Sequence, residues 1–117
     1  MTLDEFFDGY EPSRAIFNAL RESVEAIGPA EMGVSKSQIA FRRRMAFAWA
    51  WVPDRYLRGG HAPLVLSVSL RRHDASPRWK EVVEPSPGRF MHHLELRDVG
   101  EIDGEVCQWL AEAYAEA

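Results

Sequence analysis

The chain has 117 residues, 46% of them apolar and 27% charged, with a formal net charge of −4. That length fits one domain, 1–117, of the ordinary size of roughly 100–200 residues, and the composition excludes a disordered, collagen-like or low-complexity chain. The longest apolar run, Ala46–Val52, is far short of a membrane span, no leader pattern opens the chain, and the lone Cys107 permits no internal disulfide; a cytoplasmic protein without membrane contact is expected.

Residues Leu3–Tyr10 form a short lead-in anchored by Phe6 and Phe7. Pro12 suits a first helical turn. Ile16, Ala19, Leu20, Val24 and Ile27 then mark one face of an amphipathic helix, which Gly28-Pro29 ends. The period next changes to two. Val34–Phe41 and Ala46–Val52 read as a hairpin turning at Arg42-Arg43-Arg44. In its second strand Phe47, Trp49 and Trp51 share one parity and Ala46, Ala48 and Ala50 the other, so the rings are expected to face the core.

After a loop over 53–63, Leu64–Leu70 alternates apolar with small polar residues. A second loop leads to a short strand, Trp79–Glu84. Pro85, Pro87 and Gly88 mark a tight connection, and 90–96 reads as another strand. Asp103 is a good N-cap for a final helix carrying Val106, Leu110 and Ala113. Strands grouped between terminal helices predict an α+β domain: an antiparallel sheet of four to five strands with an N-terminal and a C-terminal helix packed on it.

Charge is unevenly spread. Residues 1–35 hold two bases and seven acids, residues 36–97 twelve bases and five acids, and residues 98–117 six acids and no base. Either the acidic helices neutralise a basic sheet, or the middle offers a surface to an anionic partner. His92 and His93 are neighbours on a strand, so they point to opposite faces and cannot chelate one metal. His92 shares parity with Phe90 and Leu94 and is expected to be a satisfied core histidine. No zinc spacing, nucleophile elbow, P-loop or dinucleotide fingerprint is present. Neither a cofactor nor a metal is expected.

The stretches VSKSQIAFRRRMAFAWAW at 34–51, SPRWKEVVEPSPGRFMHHLEL at 76–96 and IDGEVCQWLAEAY at 102–114 together resemble a family of small bacterial proteins carrying a domain of unknown function, distantly similar to the YdhG-like domains. The resemblance implies a compact α+β domain found alone or fused to others, and it implies no catalytic residues. The iron-handling role linked to some YdhG-like relatives is not carried over, because the acids here are spread along two helices.

The expected function is non-enzymatic binding of an anionic ligand or macromolecule by the basic middle, through Arg42, Arg44, Arg78 and Lys80, with Trp79 and His93 secondary. Nucleic acid is the less favoured macromolecule. Two other functions stand beside it: an enzyme with a cleft lined by Arg78, His92 and His93, and an interaction module that forms a homodimer.

Overall fold

In the computed structural model, which describes residues 1–57 and 60–117, a short helix α1 (Leu3–Phe6) is followed by α2 (Glu11–Ile27), strands β1 (Glu31–Val34), β2 (Ile39–Arg42), β3 (Ala46–Trp51), β4 (Leu64–Leu70), β5 (Glu81–Ser86) and β6 (Arg89–Leu96), and helix α3 (Gly104–Glu116). The strands form one antiparallel sheet in the order β1-β2-β3-β4-β6-β5. The α+β class with a helix from each end is as expected. The sheet has six strands rather than four or five. The added strand is β1: Ser35 takes the backbone N–H of Gln38 on its hydroxyl at 3.2 Å and splits 31–42 into two paired strands.

Each helix forms for a local reason. Thr2 and Glu5 make a reciprocal capping box that starts α1 and fixes Phe6 and Phe7 in the core. On α2 the buried stripe is Ser13, Ile16, Phe17, Leu20 and Val24. Asp103 caps α3 by accepting the N–H of Val106 at 3.1 Å, and Val106, Trp109, Leu110 and Ala113 face the sheet.

Gly28 follows α2 with extended backbone, at φ 165°, so it is not there for a left-handed cap. A Cβ at this position would meet the hydroxyl of Tyr114, whose O–H donates to the carbonyl of Pro29 at 2.9 Å. Gly28→Ala should therefore swing the Tyr114 ring out and break that bond, at a cost of roughly 1–2 kcal/mol. A urea midpoint unchanged from wild type would contradict this packing.

Both helices cover the same face of the sheet. That face consists of Ile39, Phe41, Ala48, Ala50, Leu64, Leu66, Val68, Leu94 and Leu96, all buried. The pairing of β2 with β3 shifts between Phe41 and Arg42, an extra residue that lets Phe47 and Ala48 both sit in the interior. Phe47 meets Tyr114 of α3 edge to face at 5.6 Å.

Phe47 is in the core as expected, but Trp49 and Trp51 are not. Ala48 and Ala50 pair with Val68 and Leu66 and are fully covered, while Trp49 and Trp51 pair with Ser67 and Val65 on the opposite face. The physical reason is clearance. Methyl groups under α3 allow the helix to approach the sheet closely, whereas indole rings there would hold it away.

Candidate functional site

Among the described residues, no α-helix covers the second face of the sheet. Its centre is a depression of about 390 Å³ lined by Gln38, Trp49, Trp51, Ser67, Met91 and His93. The two indoles and His93 are half-buried. Strand alternation places them together: Trp49 lies opposite Ser67, and Ser67 lies opposite His93. Ser67 Oγ and His93 Nδ1 are 2.7 Å apart. Burial holds the imidazole of His93 below the ordinary histidine pKa, against the opposing pull of Glu81. Burial thus favours the neutral imidazole, whose Nδ1 shares a hydrogen bond with the Ser67 hydroxyl. A second hollow of about 230 Å³ adjoins this face, where Trp51, Leu57, His61, Lys80 and Glu81 surround His93.

The residues expected to bind anions fall into three groups. Lys80 and His93 lie together at the second hollow, and Lys80 Nζ is 3.5 Å from the Glu95 carboxylate. Arg42 and Arg44 lie at the β2–β3 hairpin, exposed and without a carboxylate in ion-pair range among the described residues. Arg78 and Trp79 turn the other way, toward α3. Arg78 Nη1 donates to Asp103 at 3.0 Å and to Glu105 at 2.9 Å, and Nη2 donates to the Glu101 carbonyl. These contacts, led by the bond to Glu105, raise its pKa further and fix its charge on the helix.

Trp79 is 8% exposed, stacks on Trp109 with ring centroids 4.1 Å apart, and donates Nε1–H to Asp74 at 2.8 Å. It is a core residue. Arg72 likewise grips Glu112 of α3 through two bonds, at 2.7 and 2.9 Å, and Asp74 at 2.7 Å. Two bases of the middle segment, Arg72 and Arg78, are thus neutralised by carboxylates at the C-terminal helix.

His92 is the satisfied core histidine the alternation implied. It is wholly buried, Nε2 accepts the Asp74 backbone N–H at 3.0 Å, and Nδ1 faces the carbonyls of Phe90 and Val68 at 3.2 and 3.4 Å. His92 and His93 lie on opposite faces of β6 and Arg78 is held at α3. The three do not line one cleft, so the enzyme site suggested for them is not formed.

Trp49 and Trp51, which share the parity of Phe47 and so read as core, were not among the residues expected to bind, nor were Met91, Arg71 and Arg89. The model of a domain of unknown function (DUF5655) matches residues 3–117. The chain belongs to that family. As a DUF5655 domain it is a single-sheet α+β protein, and the match assigns chemistry to none of its residues. No curated protein and no solved structure matches it. No helix of the described residues is long and apolar enough to cross a membrane.

Proposed function

We propose that this domain is a non-enzymatic binding module whose ligand is anionic, carries a flat ring, and lies on the uncovered sheet face. One observation carries this reading: two tryptophans stand side by side on a sheet face that neither helix covers, beside a neutral histidine with a hydrogen-bonding edge. Large apolar groups left on a soluble surface mark a contact site, and indole faces take planar rings and cations alike. The cations of the middle segment that α3 leaves unpaired, Arg42 among them, favour a negatively charged ligand. The resemblance to YdhG-like domains adds no residue to this site.

Adenosine monophosphate is a suitable probe, and tryptophan emission is the readout. Titration should quench emission saturably. Stacking on an aromatic residue is worth about 1–3 kcal/mol per base, so Trp49→Ala/Trp51→Ala should weaken binding by roughly 5- to 150-fold. Arg78→Ala should leave it unchanged, since that guanidinium is spent on Asp103 and Glu105. Wild-type affinity in a folded double variant would refute the platform. A second copy of the chain is the competing occupant: a concentration-dependent mass in light scattering, abolished by the same double variant, would assign the face to a homodimer instead.

A further inference from the structure

At the end of the sheet where β4 finishes and β6 begins, Arg71 and Arg89 border one pocket of about 230 Å³, together with Ser69, Ser86 and Gly88 and, from the end of α3, Ala113 and Glu116. Neither guanidinium has a carboxylate within ion-pair distance among the described residues. Arg71 Nη2 donates to the carbonyl of Glu116 at 2.9 Å, while the Glu116 carboxylate is taken by the Arg71 backbone N–H at 2.9 Å. Among the described residues the Arg89 guanidinium has one hydrogen-bond acceptor, the sulfur of Met45 at 3.6 Å, a weak one. Two planar forks with donors to spare and two serine hydroxyls therefore border one small hollow. That donor set suits a tetrahedral oxyanion, which guanidinium forks grip through paired hydrogen bonds.

The pocket adjoins the tryptophan platform. Ser69 in its wall is the cross-strand partner of Met91, which lines the depression beside Trp49. From Ser67, opposite Trp49, to Ser69 is two strand residues, about 7 Å, the reach of one sugar between a base and its 5′-phosphate. We infer that Arg71 and Arg89 form a phosphoryl subsite, and that the ligand of the sheet face is a phosphorylated ring compound with its ring on Trp49 and its phosphate in this pocket. The inference rests on the sheet face being the ligand platform. Arg42, Arg44 and Lys80 do not line this pocket and make no part of the subsite.

The experiment uses the full chain labelled with 15N and three probes: inorganic phosphate, adenosine and adenosine monophosphate. Phosphate should shift the amides of Ser69, Arg71, Gly88 and Arg89. The monophosphate should bind about tenfold more tightly than adenosine, as expected for charge-assisted hydrogen bonds to phosphate. In Arg89→Gln that advantage should vanish while adenosine affinity stays at the wild-type value. Arg89 is the variant of choice because its side chain supports no other residue beyond Met45, whereas Arg71 holds the end of α3. A thermal midpoint close to wild type will establish that the variant is folded. Phosphate shifts confined to Arg42–Arg44 or to Lys80, or an advantage retained in Arg89→Gln, would overturn the subsite and leave the platform standing. Failure of adenosine to perturb Trp49 or Trp51 would overturn the platform and the pairing of ring with phosphate together.

Discussion

Replacing Trp79 with Ala is expected to remove roughly 3–5 kcal/mol of stability, the range for deleting a large buried aromatic side chain, and to leave this small domain largely unfolded on warming. The indole lies between Trp109 of α3 and His92 of β6, with centroids 4.1 and 4.8 Å away, and its N–H is the donor to Asp74 at 2.8 Å. Its loss would empty the space under the start of α3 and leave a carboxylate oxygen short of a donor. Trp79→Phe should recover much of the packing and none of the hydrogen bond, placing it between wild type and alanine. Trp51→Ala offers the contrast, because that ring stands on the uncovered face and its removal should cost about 1 kcal/mol or less. Urea unfolding of the three variants checks the order. Equal losses for Trp79→Ala and Trp51→Ala would mean that the two faces of the sheet are not as different as the packing indicates.

Mild acidification should destabilise the domain, and His92 is the cause. Burial, the largest influence, holds its pKa below the ordinary value of 6.5, although the nearby carbonyls and Asp74 pull the other way. Geometry supplies the reason: Nε2 accepts an N–H from Asp74, and a proton placed there would face another donor. The unfolded chain binds that proton near pH 6.5 and the folded one only at lower pH, so stability is complete above about 6.5 and falls as pH drops toward the folded value. His93, shifted the same way by burial, adds to the loss. Each histidine can remove at most about 1.4 kcal/mol per pH unit in this window. Urea midpoints at pH 7.5 and 5.5 should therefore differ clearly. An NMR titration should show His92 taking up its proton below the ordinary histidine range. A midpoint that is flat across this interval would require His92 to accept its proton without leaving the core.

The parts of the fold legible in the sequence are those set by local rules. The α2 stripe, the Asp103 cap, the arginine hairpin and the inward histidine all follow from periodicity and capping, and each stands where that logic placed it. The face of β3 did not follow. Alternation tells which residues share a side and is silent on which side is covered, and ring size suggested the wrong answer because it ignores how closely a helix must approach. The separation of β1 from β2 depends on the Ser35 turn, which lacks the glycine or asparagine that would announce it.

The cations divided for a similar reason. Composition showed that the middle was basic, but which guanidiniums stay free depends on where the α3 carboxylates fall, a property of tertiary geometry. Arg78 and Arg72 were claimed by the helix, whereas Arg71 and Arg89, in no motif, were brought to one pocket by the pairing of β4 with β6.

The way α3 is fastened has one more consequence. Carboxylates near its beginning hold Arg78, Glu112 holds Arg72, and its last carbonyls take Arg43 and Arg71. The helix thus supplies these four side chains with oxygen acceptors from one end to the other. A protease cut that released it would take Val106, Trp109 and Leu110 out of the core, so severing these polar fastenings would cost the chain its fold as well as its charge balance.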